Sequence, residues 1–495
     1  MSNPQRRSQS NKFLAFLSAG CLLLCGLASA APTITLSKRT GPPTSRILVS
    51  GHGFNPNVGV DIYFDTKDEA LVVTNGQGEF KNSEINAPRT ARPGDHWVTA
   101  LERNNDRGAQ RVFLVRTDWS QFHFEADGTR LNPYENVLNP NTVRNLELKW
   151  NFTARGFVEC SPAAANGAIY LGGYKMHALN AATGAVLWRS TAGMGSSPAI
   201  ANESVYEGSD SGAVYALSAR TGAKLWSFTT GSYAQSSPAV ANDVVYVGSD
   251  DHEVYALDAK TGTKLWNFTT GGGVFSSPTV VNGTVYVGSA DHNVYALNAI
   301  TGAELWSFAT ASSVGTSPAV ANGVVYVGSD DKNVYALNAS TGVRLWNYTT
   351  GDIMFSSPAV ANGVVYVGAI DNNVYALNAA TGAKLWSFTT GSGVLSSPAV
   401  ANGVVYVGSD DHNVYALESD NGVLLWSYPT GGRVVSSPAV ANGMMYVGSD
   451  DGNIYAFGLR QDREMRKAAT KRPDPNTLRP DFSLKPSKPV ATVSG

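Results

Sequence analysis

Apolar and polar positions recur through most of this chain with a forty-residue period. A stretch close to SSPAVANGVVYVGSDDHNVYALNAATGAKLWSFTTG repeats. Ser-Pro pairs open it at Ser161, Ser197, Ser237, Ser277, Ser317, Ser357, Ser397 and Ser437, and from Pro198 onward the spacing is an unbroken 40. Within each unit, four short runs carry strand signals. SPAVA ends in an Asn-Gly turn in six units, and Asn-Gly adopts positive φ cheaply, as a two-residue hairpin requires. VVYVGS is apolar on both faces, which predicts a strand enclosed in a stack of sheets. A Ser-Asp-Asp turn leads to NVYALNA, and a Thr-Gly turn leads to KLWSFTT. In that last run the Trp and the aromatic two residues on share one face, as in Trp226/Phe228, Trp266/Phe268, Trp306/Phe308 and Trp346/Tyr348; Trp188, followed by Ser190, departs from the rule.

A period in this range means a solenoid or a propeller, and four antiparallel strands per unit make a propeller blade. No helical periodicity interrupts the strand runs, so helical repeats are excluded. The prediction is all-β: an eight-bladed β-propeller over residues 148–458. Fourth-strand tryptophans number eight, namely Trp150, Trp188, Trp226, Trp266, Trp306, Trp346, Trp386 and Trp426. Trp150 precedes the first Ser-Pro pair, and no Trp follows the last third strand. LELKWNF (Leu146–Phe152) is therefore expected to supply the missing strand of the final blade and to close the ring. These tryptophans are the expected docking residues between blades.

The remainder divides into four parts. Residues 1–30 read as a secretory signal: Arg6, Arg7 and Lys12, an apolar run Phe13 to Leu27, then Ala28-Ser29-Ala30 as a cleavage site. Residues 32–117 are non-repetitive, with strand signals at Val49–Phe54, Asp61–Asp65, Val72–Phe80, Asp95–Leu101 and Arg111–Val115, and Asn75-Gly76 reads as a hairpin turn. A small β-sandwich is expected there. Residues 118–147 form a polar lead-in. Residues 459–495 hold five prolines, nine Lys/Arg and four Asp/Glu, too polar for a core, so a disordered basic tail is expected. The repeats carry 21 Asp/Glu against 12 Lys/Arg, a net of −9 that disfavours nucleic acid. No segment after the signal has the length and apolarity of a membrane span. Once the signal is removed, Cys160 remains alone, so no intrachain disulfide is available.

The run A-L-N-A-x-T-G-x-x-L-W resembles the tryptophan-docking motif of PQQ-like propeller repeats, the quinoprotein type. The lead-in W-S-Q-F…G-T-R-L-N-P-Y-E, reaching L-K-W at Trp150, is similar to the entry segment of such proteins. The resemblance spans residues 118–458. It implies the propeller fold and two kinds of function. One branch consists of PQQ- and calcium-dependent dehydrogenases; the non-catalytic branch includes a periplasmic factor for outer-membrane protein assembly. In residues 32–117, G-H-G-F-x-P and T-N-G-Q-G-E-F resemble Ig-like, IPT-type modules of bacterial surface proteins, which act as spacers or adhesive units.

The dehydrogenase branch usually has an adjacent Cys-Cys pair and a converging oxygen ligand set for Ca²⁺, and neither pattern is present. Asp250/Asp251, Asp330/Asp331, Asp410/Asp411 and Asp450/Asp451 recur one pair per blade and read as turn caps. His252, His292 and His412 recur at one turn position and read as solvated. Cys160 reads as a small residue in a serine position. Neither a catalytic nor a metal site is expected, and no cofactor, with PQQ and calcium the pair that the dehydrogenase alternative would bring. Information for binding lies where the repeats differ, just before each Ser-Pro pair. Glu159, Tyr233, Gln235, Phe275, Met354, Phe355 and Arg433 are the expected residues of the propeller mouth. The first unit also departs, with GGYKMHAL (Gly172–Leu179) two residues short, and Glu207 is a further non-repeating polar group. The expected function is an exported, non-enzymatic binding or scaffold protein, in the periplasm or at the cell surface. Its expected partners are protein, peptide or glycan.

Overall fold

The computed structural model describes residues 31–154, 156–173, 175–190 and 195–460. The signal segment and residues 461–495 of the tail lie outside the described residues, as do Tyr174 and Met194.

The repeats form a β-propeller of antiparallel sheets. Eight sheets arise from the repeat region among the described residues. In the fourth, for example, Thr279–Val281, Thr284–Gly288, Asn293–Asn298 and Glu304–Ala309 run side by side from the inner edge to the outer. The Asn-Gly turns adopt the left-handed conformation that a tight hairpin needs, with φ of 51° at Asn322 and 75° at Gly323. The second strand of each sheet is buried almost throughout, because neighbouring sheets cover both its faces.

In the last sheet, Leu146–Thr153 pairs antiparallel with Asn453–Leu459, from Leu146 opposite Leu459 to Thr153 opposite Asn453. The chain before the repeats is thereby stitched to their end.

Two rings of hydrogen bonds join the sheets. On the outside, every docking tryptophan donates its indole Nε1–H to a backbone carbonyl of the next sheet, at 2.9–3.2 Å. Trp188 reaches Ala219, Trp426 reaches Leu146, and Trp150 reaches Ala181, so the series returns to the first sheet. The Thr-Gly turn of that next sheet lies under the indole. A Cβ at Gly222 would stand 2.5 Å from the Trp188 ring, and φ there is +70°, so both space and backbone demand glycine. On the inside, the backbone N–H of each Ser-Pro serine donates to the Oγ of the equivalent serine one sheet on. The series runs from Ser161 to Ser197 at 2.9 Å and ends with Ser437 donating back to Ser161 at 2.9 Å.

Residues 33–115 form a three-stranded sheet (Thr33–Leu36, Arg46–His52, Phe80–Asn86) and a five-stranded one (Thr40–Gly41, Gly108–Val115, Gly94–Glu102, Gly59–Phe64, Lys67–Val73). Ile34, Ile47 and Val49 of the first share one apolar core with Ile62, Val98 and Phe113 of the second. The hairpin expected at Asn75-Gly76 does not form. Lys67–Val73 and Phe80–Asn86 belong to different sheets, and the Asn75 side chain instead accepts the amides of Gln77 and Glu79, both at 2.9 Å. That side-chain turn carries the chain from one sheet to the other.

Candidate binding site

Around the channel, side chains alternate with period two ahead of each Ser-Pro pair. Val274 and Ser276 are buried in the fourth sheet's interfaces, while Phe275 and Ser277 face the channel. The channel-facing residue just before each Ser-Ser pair (Cys160-Ser161 in the first sheet) is, in ring order, Glu159, Gly195, Gln235, Phe275, Gly315, Phe355, Leu395 and Val435. A repeated framework therefore presents an unrepeated ring. Polar groups occupy the first and third sheets, and apolar ones the fourth, sixth, seventh and eighth. With the collar of Ser-Pro serines beneath, these residues enclose a cavity of about 880 Å³.

Of the residues expected at the mouth, Glu159, Gln235, Phe275 and Phe355 lie in the cavity wall. Tyr233 is 52% exposed but stands outside the wall. Met354 is a correction: it is fully buried between the fifth and sixth sheets, because it sits one residue out of phase with the channel-facing Phe355. Arg433 is also outside the wall, held by Asp450 at 2.8 Å and standing 3.8 Å from Glu159. Phe122, Phe157, Asp210, Leu395 and Val435 also lie in the wall. Counting back two residues from each channel-facing serine finds Leu395 and Val435.

Phe122 belongs to the lead-in, which winds once around the inside of the channel. Trp119 exchanges both backbone bonds with Ala164 of the first sheet. Ile200 then donates to the Ser120 carbonyl, Val240 to the Gln121 side chain, Val280 to Ala126, Val320 to Asp127, Val360 to Thr129 and Val400 to Arg130, all at 2.7–2.9 Å. Asn132 Nδ2 donates to Val440 O of the last sheet at 2.8 Å. Fourteen residues, 119–132, thus engage the inner edge of every sheet in turn. Buried backbone groups need partners, and this segment supplies them where the inner strands have no further neighbour. Arg130 pins its centre. Its Nε donates to Pro398 O at 2.7 Å, its Nη1 to Phe122 O at 2.6 Å, and its guanidinium lies 4.7 Å from the Phe122 ring centre. Burial lowers its pKa to about 9. The cavity is consequently a cup, with Phe122 as floor.

Electrostatically the cup is acidic. Burial raises the Glu159 pKa first, and the nearby Asp450 charge adds to it. Asp210 accepts a bond from Gln235 Nε2 at 3.0 Å. Glu207, behind the wall, is fully buried, and burial holds its pKa well above the usual carboxylate range. Cys160 lies in the wall; its pKa is pushed up by burial first and then by the charges of Glu207, Glu159 and Asp210, the reverse of what a thiolate nucleophile needs. The second Asp of each turn pair caps that turn. Asp411 accepts Gly391 N at 2.6 Å, Asn413 N at 2.9 Å and the Tyr415 hydroxyl at 2.6 Å. His252, His292 and His412 are exposed at left-handed turn positions on separate sheets. Among the described residues no group of three His, Cys, Asp or Glu is placed to hold a metal ion.

These features define a β-propeller of PQQ-like repeats with a blind central cup. A family model described as outer membrane protein assembly factor BamB matches residues 172–306, 253–377 and 370–464, more than half of the chain. The chain belongs to that family. No curated protein matches it. Among solved structures, BamB from Moraxella catarrhalis is similar at 22% identity and TM-score 0.56, covering 64% of this chain and 99% of that one. Quinohemoprotein alcohol dehydrogenase from Comamonas testosteroni is similar at 16% identity and TM-score 0.61, covering 70% and 81%. A europium-containing methanol dehydrogenase is similar at 14% identity and TM-score 0.62, covering 69% and 98%. At these identities the likeness is one of fold.

Proposed function

We propose that this chain is an exported, non-enzymatic binding protein of the cell envelope, an eight-bladed wheel whose cup captures a partner protein or peptide. The cup itself carries this reading. The wheel is built from near-identical units, yet the eight positions lining its mouth carry six different residue types, and Phe275 and Phe355 stand 46% and 49% exposed there. Exposed aromatic residues around a concave site are typical anchors of a contact surface. Residues 33–115 would serve as an Ig-like spacer or adhesive unit. A role in outer-membrane protein assembly, the activity in the family's description, would use the same cup. Among the described residues no helix is long and apolar enough to cross a membrane.

The dehydrogenase alternative fits the residues poorly. PQQ is a tricarboxylate, and the described cavity wall holds Glu159 and Asp210 but no Lys or Arg. Like charges would oppose its entry, and among the described residues no group of three His, Cys, Asp or Glu is placed to hold calcium beside it.

Changing Phe275→Ser and Phe355→Ser together should cut capture of an envelope partner by the purified protein at least tenfold. The melting temperature should move by no more than about 1 °C, since both side chains are half-exposed. Undiminished capture would remove the cup from this role. Dye reduction with alcohols on adding PQQ and Ca²⁺ would restore the enzyme reading.

A further inference from the structure

Seven of the eight sheets place an aliphatic side chain at one inner position of the second strand: Leu171, Val247, Val287, Val327, Val367, Val407 and Val447. The second sheet places Glu207 there. Glu207 is 0% exposed, and neither carboxylate oxygen has a hydrogen-bond partner among the described residues. An unpaired buried carboxyl is costly, so its position needs a reason.

Its surroundings supply one. A Cβ built on Gly172 would lie 2.8 Å from Glu207 Oε1, 3.0 Å from Ser196 O and 3.2 Å from Cys160 Sγ. Ser196 and Cys160 are cavity wall. The carboxyl therefore stands directly behind the wall at the seam of the first two sheets, where the shortened turn puts Gly173 in place of the serine or alanine of the other sheets. Glu159 and Asp210 face the cup on that same side. Arg433, near the mouth, is held by Asp450 at 2.8 Å and stands 3.8 Å from Glu159. Across the cup lie Phe275, Phe355 and Leu395 of the fourth, sixth and seventh sheets, with Phe122 below.

We infer that the cup takes a lysine side chain carried on an apolar polypeptide segment, its ammonium against the pole of Glu159, Asp210 and Glu207, and its apolar neighbours against the opposite arc. This rests on the binding role proposed above and names the chemistry of its partner. The cavity of about 880 Å³, with the exposed Phe157 in its wall, holds several side chains rather than one small amine, and the exposed Tyr233 extends the surface beyond it. Aromatic faces beside acids suit a cation on an apolar stem. A cation arriving near Glu207 favours its ionised form, so binding releases a proton.

The test uses a fluorescein-labelled heptapeptide of leucine, serine and phenylalanine with one central lysine, together with its norleucine and glutamate counterparts. By anisotropy the lysine peptide should bind at least tenfold more tightly than the norleucine peptide, and the glutamate peptide more weakly than either. Glu207→Gln should reduce the lysine preference to below threefold while leaving the norleucine affinity unchanged, and Glu159→Gln with Asp210→Asn should do the same. Calorimetry of the lysine peptide in two buffers of different ionisation enthalpy should show proton release by the parent chain and none by Glu207→Gln. Equal binding of all three peptides, or of none, overturns the cation assignment. Competition by hexylamine as effective as the peptide's overturns the polypeptide. In either case, loss of capture on changing Phe275 and Phe355 still judges the binding role separately.

Discussion

Trp150→Ala should destabilise the wheel by about 3 kcal/mol, the low end of the range for removing a large aromatic from a packed site. Trp150 is half-buried, whereas Trp188, Trp226, Trp266, Trp306, Trp346 and Trp386 are buried. It nevertheless stands where the ring is joined. Its indole donates to Ala181 O at 3.0 Å, covers Gly184, and packs 5.9 Å from the Tyr446 ring. Its strand is the one that ties residues 146–153 to 453–459. The apolar cluster at this junction joins the seventh, eighth and first sheets with Trp119, Leu138 and Val143 of the lead-in. Loss of the indole should therefore lower the melting temperature by several degrees and speed amide exchange over 453–459 more than in the fourth sheet. A shift under about 1 °C would mean that the junction does not limit stability.

Glu207→Val should act the other way and stabilise the protein by ~1–3 kcal/mol, the cost of one buried polar group without a partner. Valine fills the equivalent site in six other sheets, for example Val247 and Val327, each fully buried. The gain should depend on pH with a definite sign. Burial raises the folded-state pKa of Glu207, so above the ordinary carboxylate range the folded chain holds a proton that the unfolded chain has lost. Glu207 therefore contributes a stability that falls as pH rises from there toward its folded pKa, and the valine variant lacks that fall. Denaturant titrations at pH 5 and pH 7 should show the larger gain at pH 7. A destabilised variant would mean that the carboxyl is satisfied in the folded chain.

Much of the fold was legible because the same decision is written repeatedly. Asn-Gly, Thr-Gly and the Trp two residues before an aromatic each specify one turn or one face, and each recurs. The strand role of Leu146–Phe152 followed from unequal numbers of tryptophans and third strands at the two ends, and the pairing with Asn453–Leu459 has that form. The site was less legible. Met354 and Phe355 both lie where the repeats differ, but the alternation of faces buries one and presents the other. Arg433 also lies where the repeats differ, but Asp450 holds it outside the wall. The lead-in carries no period of its own. Its bonds to the inner strands are set by the channel it winds through, so Phe122 and Arg130 had no local signal. Asn75-Gly76 failed as a hairpin because a side-chain turn of Asn75 competes with it.

The most direct test is where a partner touches the wheel. A photo-reactive benzoylphenylalanine placed at Phe355 in the cup, or at Leu265, 52% exposed on an outer strand, can be irradiated with envelope extract. The cup predicts a cross-linked protein from position 355, lost on adding the lysine peptide, and none from position 265. Cross-links from 265 alone, unaffected by the peptide, would contradict it.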